Sequence, residues 1–380
     1  MGTMKARYLI VVAIACVLIT ATLMYGLMSW NPKTTRTEPL GVFVGVDAAY
    51  DNLEEIKTLV DAVSPYTNLF IIGSNGITFN ETKLDELSQY IYDKGLSFIV
   101  FTDDHDGTTP SSQWVANAKA IWGNRFLGLY VYDEVGGKQL DLYKVRPVRE
   151  ADNYTDAASQ FVAHLSYLSR NYTALENIQV FSSDYALYWF DYKAGYDVVF
   201  AEFGWNYSRQ INVALARGAA IAQNKDWGVM ITHTYTGPPY LESGEKLFDD
   251  MVFAYENGAK YIVIFDSNEN YTHGTLTEEH LQALKQFTEY AHKNPRASEP
   301  ASERTAFVLP KDFAYGFRGP TDKIWGLWEA DAFSYDISVQ LGNLLQQYGN
   351  KLDVIYDDEI DYNSLGYGKF IFWNGTVLDG

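Results

Sequence analysis

Eight short runs rich in Val, Ile, Phe and Tyr recur between residues 41 and 270, separated by stretches of helical length. The runs are "GVFVGVDAAY" (41–50), "NLFIIGS" (68–74), "SFIVFTDDHD" (97–106), "FLGLYVYDE" (126–134), "IQVFSSDY" (178–185), "DVVFAEFGW" (197–205), "GVMITHTY" (228–235) and "YIVIFDSNEN" (261–270). Apolar runs of this length read as buried strands. The intervening segments carry helical spacing. "NLEEIKTLVDAV" places Leu53, Ile56, Leu59, Val60 and Val63 on one face, and "ETKLDELSQYIYDKG" ends in Lys94-Gly95, a helix stop. Strands that alternate with helices pair in parallel, because each return needs a crossover. Eight such units match the size of a (β/α)8 TIM barrel, predicted over residues 40–295. A doubly wound open sheet is the alternative built from the same elements.

Both ends differ from this rhythm. Lys5 and Arg7 precede residues 8–30, "YLIVVAIACVLITATLMYGLMSW", which contain no charge. That length can span a hydrocarbon core, so residues 1–31 are expected to be a transmembrane anchor, with the body outside the cytoplasm. A cleaved signal peptide, giving a secreted protein, is the competitor. Residues 32–39 read as a linker. From about residue 303 to 380, "TAFVLP", "LDVIYDD" and "KFIFWNG" read as strands around the helical "ADAFSYDISVQLGNLLQQYGN". This predicts a small, incomplete α/β domain of flavodoxin-like type.

The ends of the predicted barrel strands are acidic while their bodies are almost free of charge. They supply Asp47, then Asp103, Asp104, His105 and Asp106, then Asp133 and Glu134, Asp184, Glu202, His233, and finally Asp266 and Glu269. Chemistry in a (β/α)8 barrel gathers at those C-terminal ends. Strand ends also meet water, and Asp often caps the following helix, so a single acid there proves nothing. On the fourth strand, period-two alternation puts Leu127, Leu129, Val131 and Asp133 on one side and Glu134 on the other. The aliphatic row suits packing under helices, which directs Glu134 to the mouth and leaves Asp133 to orient or cap. Glu202, within "FAEFGW", is flanked by aromatics that should raise its pKa, as a proton donor requires. Two such carboxylates are the minimum for glycosidic bond cleavage. Tyr130, Tyr132, Tyr185, Trp189, Trp205, Tyr235 and Tyr240 lie near them in sequence, and rings of this kind stack on sugars as well as filling cores.

The alternation, the "LYVYDEVGG" fourth strand and the "AEFGW" sixth strand resemble the (β/α)8 glycoside hydrolase superfamily. The tail beginning "FVLPKDFAYGFRGPTDKIWGLW" resembles the amidotransferase-like α/β domain that follows some of these barrels. The resemblance spans roughly residues 40–380. It implies an acid/base and a nucleophile among Glu134 and Glu202, with Asp133 in support. Asp47, Asp104, His105, Tyr132, Asp184, Trp205, His233, Tyr235 and Asp266 are the candidates for holding the carbohydrate. The commonest pattern of the superfamily has a Glu ending strand seven, where "ITHTYTGPPY" offers His233 and Tyr235.

Two other functions fit the same residues. One is a non-catalytic surface protein that binds glycans on a degenerate barrel. The other is a metal-dependent carbohydrate deacetylase using "FTDDHDG". Six Asn-x-Ser/Thr sequons, at Asn80, Asn153, Asn171, Asn206, Asn270 and Asn374, exceed the about two or three expected by chance and mildly favour an external surface. A net charge of −19 offers no basic stripe for nucleic acid. The single cysteine, Cys16, lies in the anchor, which excludes a thiol nucleophile and amidotransferase activity of the tail. No Gly-x-Ser-x-Gly elbow or phosphate-cradling loop is present. Carboxylate chemistry needs no cofactor, and none is expected.

Overall fold

The computed structural model describes residues 41–104, 108–175, 177–296, 300–358 and 360–380. The predicted anchor and linker, together with His105 and Asp106, lie outside the described residues. Among the described residues no helix is long and apolar enough to cross a membrane.

All eight expected strands form, and they close into a parallel barrel in sequence order. They are β1 (Phe43–Ala48), β2 (Leu69–Ile72), β3 (Ser97–Thr102), β4 (Phe126–Asp133), β5 (Gln179–Asp184), β6 (Val198–Phe203), β7 (Asp226–Ile231) and β8 (Tyr261–Asp266). Closure is made by β1 on β8, from Phe43 opposite Tyr261 to Ala48 opposite Asp266. This removes the open-sheet alternative.

Helix starts are encoded locally. Asn52, Asn80, Ser111, Asn153, Ser208 and Ser243 each accept a hydrogen bond from the backbone N–H three residues on. Two sequon asparagines, Asn80 and Asn153, are therefore helix caps. So is Ser208, the serine of the Asn206 sequon. Helix capping accounts for part of the sequon excess without reference to glycans.

The barrel interior holds Leu69, Ile71, Ile99, Tyr130, Phe181, Val198, Phe200, Met230, Tyr261 and Val263, all buried. Its aromatics interlock: Phe181 stacks on Phe200 at 5.8 Å, and Tyr130 meets Phe200 edge-on at 6.0 Å. Gly228 provides the space, because a Cβ there would lie 2.7 Å from the Phe200 ring and 2.8 Å from Tyr261 Cβ.

Four further strands follow the barrel: β9 (Thr305–Leu309), β10 (Leu352–Tyr356), β11 (Lys369–Phe372) and β12 (Val377–Asp379). They form one sheet in the order β10-β9-β11-β12, with β12 antiparallel to β11 and the other pairs parallel. The sheet packs on the barrel helix Arg209–Ala222. Gly218 lets the two backbones touch; a Cβ there would stand 2.3 Å from the Val354 carbonyl oxygen. Beside it Arg217 Nε meets Asp353 Oδ1 at 2.7 Å, both side chains buried, and Tyr367 donates to Asp353 Oδ2 at 2.9 Å. A second junction joins this region to the segment after β4. Trp325 is fully buried, its ring 5.6 Å from Phe161 and 4.8 Å from Phe190. Gln139 donates to the Trp325 carbonyl at 2.8 Å. Barrel and sheet thus share buried side chains.

Candidate active site

The site begins with a departure of β4 from regular alternation. Its register slips between Phe98 and Ile99 of β3, so that Phe126 and then Gly128 face consecutive partners. It slips again on the β5 side, where Tyr130 faces Phe181 and Asp133 faces Ser183. Each slip is a bulge that inserts one residue and re-aims those beyond it. Leu127 accordingly packs with the barrel interior and not, as alternation predicts, with Leu129 and Val131 under the helices. After the second slip Asp133 is level with the inward-facing Ser183. Tyr132 and Glu134 both sit at positive φ, 59° and 53°. Such conformations in non-glycine residues cost of order 1–3 kcal/mol and persist only where surroundings enforce them.

Those surroundings are visible. The Glu134 N–H donates to the Ser183 carbonyl at 2.8 Å. The Asp184 carboxylate takes the N–H groups of Gly136 through Oδ2 and of Gly137 through Oδ1, the latter at 2.8 Å. It also takes those of Tyr185 and Ala186. Gly136 and Gly137 are glycines for a steric reason. A Cβ on Gly136 would lie 2.8 Å from Asp184 Oδ2, and one on Gly137 would lie 2.0 Å from the Tyr185 ring. Burial pushes the Asp184 pKa up to about 7, against the pull of those amides. Asp184 therefore holds the turn that presents Glu134, and both its oxygens are occupied in doing so.

On the neighbouring side Glu202 ends β6 and is 5% exposed. Its carboxyl lies near enough to that of Glu134 for each to perturb the other's titration. Ser183 donates to Glu202 Oε1 at 2.7 Å and itself lies 2.6 Å from the Tyr130 hydroxyl. Asn212 donates to the Glu202 carbonyl at 2.7 Å, tying the strand end to the next helix. Burial first, and the Glu134 charge second, raise the Glu202 pKa well above the ordinary carboxylate range. Burial and then Asp133 raise that of Glu134 as well. Two neighbouring buried carboxyls cannot both ionise cheaply, so the pair favours a state with a single charge. Lys138 faces them, 3.3 Å from Asp133 Oδ1. Its burial opposes charge, but Asp133 and Glu134 outweigh that and raise its pKa.

The other expected residues separate into groups. Asp47 is buried at the end of β1 with Oδ1 unpartnered. Its pKa is raised by burial, then by Asp133 and Asp266, which places it at the same mouth. Asp266 accepts from the backbone of Thr275 and Leu276 and from the Tyr50 hydroxyl at 3.5 Å. His233 Nε2 is 2.8 Å from the Ser267 carbonyl oxygen, and its ring lies 5.0 Å from that of Tyr240. Asp104 folds back on its own loop, accepting from Thr108 and Thr109. His105 falls outside the described residues. Tyr132 is buried in the core under the helices and presents no face to a ligand. Tyr130, Trp189 and Tyr240 are buried too, whereas Trp205 (42%) and Tyr235 (49%) are exposed.

Residues that strand-end reasoning passed over are Ser183, Lys138, Asn212 and Tyr271, while Tyr130, considered as a stacking ring, is a buried hydrogen-bond partner of Ser183. The pKa of the Tyr271 phenol is raised by burial and then by Asp133 and Glu134, which sets it near the pair. Of these only Ser183 carried a signal, as a polar residue two places beyond the inward-facing Phe181 on β5.

No family model and no curated protein matches the chain. Solved structures do. A GH5_18 from Streptomyces cattleya, solved in complex with GlcNAc, superposes with a TM-score of 0.57 at 13% identity, covering 88% of this chain and 99% of that one. The beta-galactosidase from the psychrophilic Marinomonas ef1 gives 0.54 at 10% identity, covering 87% and 72%. This chain has the fold of the (β/α)8 glycoside hydrolases.

Proposed function

We propose that the protein is a glycosidase that retains anomeric configuration, with Glu202 as acid/base and Glu134 as nucleophile. The observation that carries this reading is the pair of neighbouring, buried carboxyls Glu134 and Glu202 at the C-terminal mouth of the barrel, each of which perturbs the other's titration. Glu202 is the more buried of the two and holds the proton; it protonates the glycosidic oxygen. Glu134, the ionic member, attacks the anomeric carbon. Water then releases the sugar with Glu202 acting as base. The assignment of a nucleophile presumes the ~5–5.5 Å carboxyl separation of retaining enzymes, against the ~6.5–9.5 Å that admits an inverting water. Ser183 and Tyr130 fix the Glu202 rotamer, and Asp133 with Lys138 sets the charge around Glu134. The substrate is a poly- or oligosaccharide, met outside the cytoplasm by a body that residues 8–30 tether to the membrane.

The test is a screen of aryl glycosides and oligosaccharides against wild type, Glu134→Gln and Glu202→Gln, with NMR detection of the product anomer. Hydrolysis with retention that both variants abolish supports the assignment. Equal rates in all three proteins remove it. Membrane attachment is read separately, by fractionating the full chain and a form lacking residues 1–31.

One observation favours a second reading, a glycan-binding barrel without turnover. β7 leads not to a carboxylate but to His233, whose Nε2 is tied to a backbone carbonyl. Saturable glycan binding with no hydrolysis across the screen would select it. The deacetylase reading rests on "FTDDHDG", of which His105 and Asp106 lie outside the described residues, while Asp104 is engaged by its own loop.

A further inference from the structure

The connection from β9 to the helix Ala332–Tyr348 spans residues 310–331. Connections longer than ~12–15 residues without secondary structure are uncommon unless they serve a site. This one has no helix and only an isolated bridge, Ile324 with Trp328. It lies along the barrel helix Val135–Asp141, which starts directly after Glu134. Gly326 permits the approach: its φ is +66°, and a Cβ there would stand 2.5 Å from the Gln139 carbonyl oxygen and 2.7 Å from that of Leu140. Arg146 donates to the Gly326 carbonyl at 2.5 Å, and Gln139 to that of Trp325. These buried contacts are enough to dock the connection on the barrel.

Arg318 of the same connection does something else. Its side chain is 27% exposed and stands outside that buried seam. Its backbone N–H and Nε meet Asp322 Oδ2 at 2.9 and 3.3 Å, which orients the guanidinium. Nη1 and Nη2 then clasp Asp141 in a bidentate pair, at 2.6 and 2.8 Å. Asp141 Oδ2 also accepts from the Tyr185 hydroxyl at 3.1 Å. The Tyr185 ring covers Gly137, where a Cβ would lie 2.0 Å from it, and stacks on Tyr207 at 5.7 Å. The guanidinium is 5.9 Å from the centre of the Tyr207 ring. One side chain from the appended region thus reaches the loops after β4, β5 and β6, the strands whose ends carry Glu134, Asp184 and Glu202.

We infer that Arg318 is a positioning residue for the Glu134 turn, which makes the appended region part of the catalytic unit and not a separate module. It acts through Asp141 and Tyr185 and touches no substrate. Its effect on rate rests on the glycosidase reading; its effect on the turn does not. With the clasp in place Tyr185 lies against Gly137, and the turn that Asp184 holds stays closed. Without it the turn opens and Glu134 gains water. Glu134 faces Asp133 and Lys138 from its own segment, Asp184 from β5, Glu202 from β6 and Tyr271 from the loop after β8. None of these changes in an Arg318 variant. Loss of a nearby cation alone would raise the Glu134 pKa, whereas opening of the turn lowers it, so the sign separates the two.

The test follows the Glu134 carboxyl by carbon-13 NMR in the full-length protein, assigned with Glu134→Gln, together with amide hydrogen exchange. Arg318→Met should lower the Glu134 pKa toward 4.5, since burial is the largest cause of its elevation. It should speed exchange of the Gly136 and Gly137 amides about tenfold, the scale of a lost charge-assisted hydrogen bond, while β9 to β11 keep their protection. Arg318→Lys keeps the charge without the bidentate clasp and should fall between. In an Asp141→Asn background, Arg318→Met should add nothing, because both remove the same clasp. Where hydrolysis is measured, Arg318→Met should lower kcat about ten- to a hundredfold with KM little changed. A Glu134 titration that stays in place or rises in Arg318→Met overturns the inference. So does a loss of protection spread equally over β9 to β11, or a change confined to KM. Absence of hydrolysis in wild type would remove the glycosidase reading and leave titration and exchange to decide this one.

Discussion

Replacing Asp184 by Asn separates the two tasks of that side chain, holding four amides and burying an acid. Oδ1 accepts from Gly137, Tyr185 and Ala186, whereas Oδ2 accepts from Gly136 alone. An asparagine placed with its carbonyl at the Oδ1 position keeps three of the four bonds and lacks only the Gly136 partner. That loss costs about 1–3 kcal/mol. The acid term works in the opposite direction and depends on pH. Burial raises the folded pKa from 3.8 to about 7. A raised carboxyl contributes fully below its unfolded pKa, and that contribution disappears as pH climbs through the folded value. Over this window wild type should lose on the order of 4 kcal/mol from this group. Asp184→Asn has no such proton to lose. Its stability relative to wild type, from urea denaturation at pH 4 and pH 8, should therefore rise by several kcal/mol across the interval. The variant should be equal or weaker at pH 4 and stronger at pH 8. A stability difference that does not change with pH would refute the account of Asp184 as a desolvated acid. Asp184→Ala, which strands all four amides, should be less stable than Asp184→Asn at both pH values.

Glu202→Gln should lower kcat/KM by about 10²–10⁴, the usual worth of a general acid, without loss of folding by circular dichroism. Because burial and Asp133 raise the Glu134 pKa above 4.5, the acidic limb of the wild-type rate profile should lie above pH 4.5 in a stopped hydrolysis assay. Gly137→Ala forces a methyl within 2.0 Å of the Tyr185 ring; it should cost about 1–3 kcal/mol in denaturation and depress activity further by moving the Glu134 turn. Asp353→Ala leaves the Arg217 guanidinium buried without its partner and should cost about 3–5 kcal/mol.

The barrel was legible in the sequence because its signal is additive. Each of eight strands carries its own apolar run, and each helix its own cap, so an error in one element leaves the count unchanged. The tail was legible for the same reason: "TAFVLP", "LDVIYDD" and "KFIFWNG" became β9, β10 and β11. Part of the sequon count has a local structural origin. Asn80 and Asn153 stand where a helix needs an acceptor for its free N–H groups, and the threonine two places on sits in the first turn. An Asn-x-Thr at such a place is explained by the helix before any glycan is invoked.

The site was less legible because it depends on where alternation stops. Parity counted from Leu127 assigns Glu134 to the mouth, and Glu134 is there, but the two events between them cancel. The first bulge turns Leu127 inward, and the second brings Asp133 level with Ser183. Glu134 then reaches Glu202 through a left-handed turn that parity knows nothing of. The sequence does hold the reason, though at a distance. Glycines 136 and 137 remain interpretable only once Asp184 and Tyr185, almost fifty residues later, are brought against them. Pairing of β4 with β5 does that, and so the acidic turn is specified by the neighbouring strand. It follows that a lesion in β5 should perturb the site even where the "DEVGG" segment itself is untouched. Ser183→Ala is the cleanest case, since it removes the donor to Glu202 Oε1 and the partner of the Tyr130 hydroxyl while leaving the Ser183 backbone carbonyl that holds Glu134. It should raise the Glu202 pKa further, because the lost hydrogen bond favoured the ionised form. The basic limb of the rate profile should move to higher pH with the fold intact. A basic limb that stays in place would mean that Glu202 is not the group titrating there.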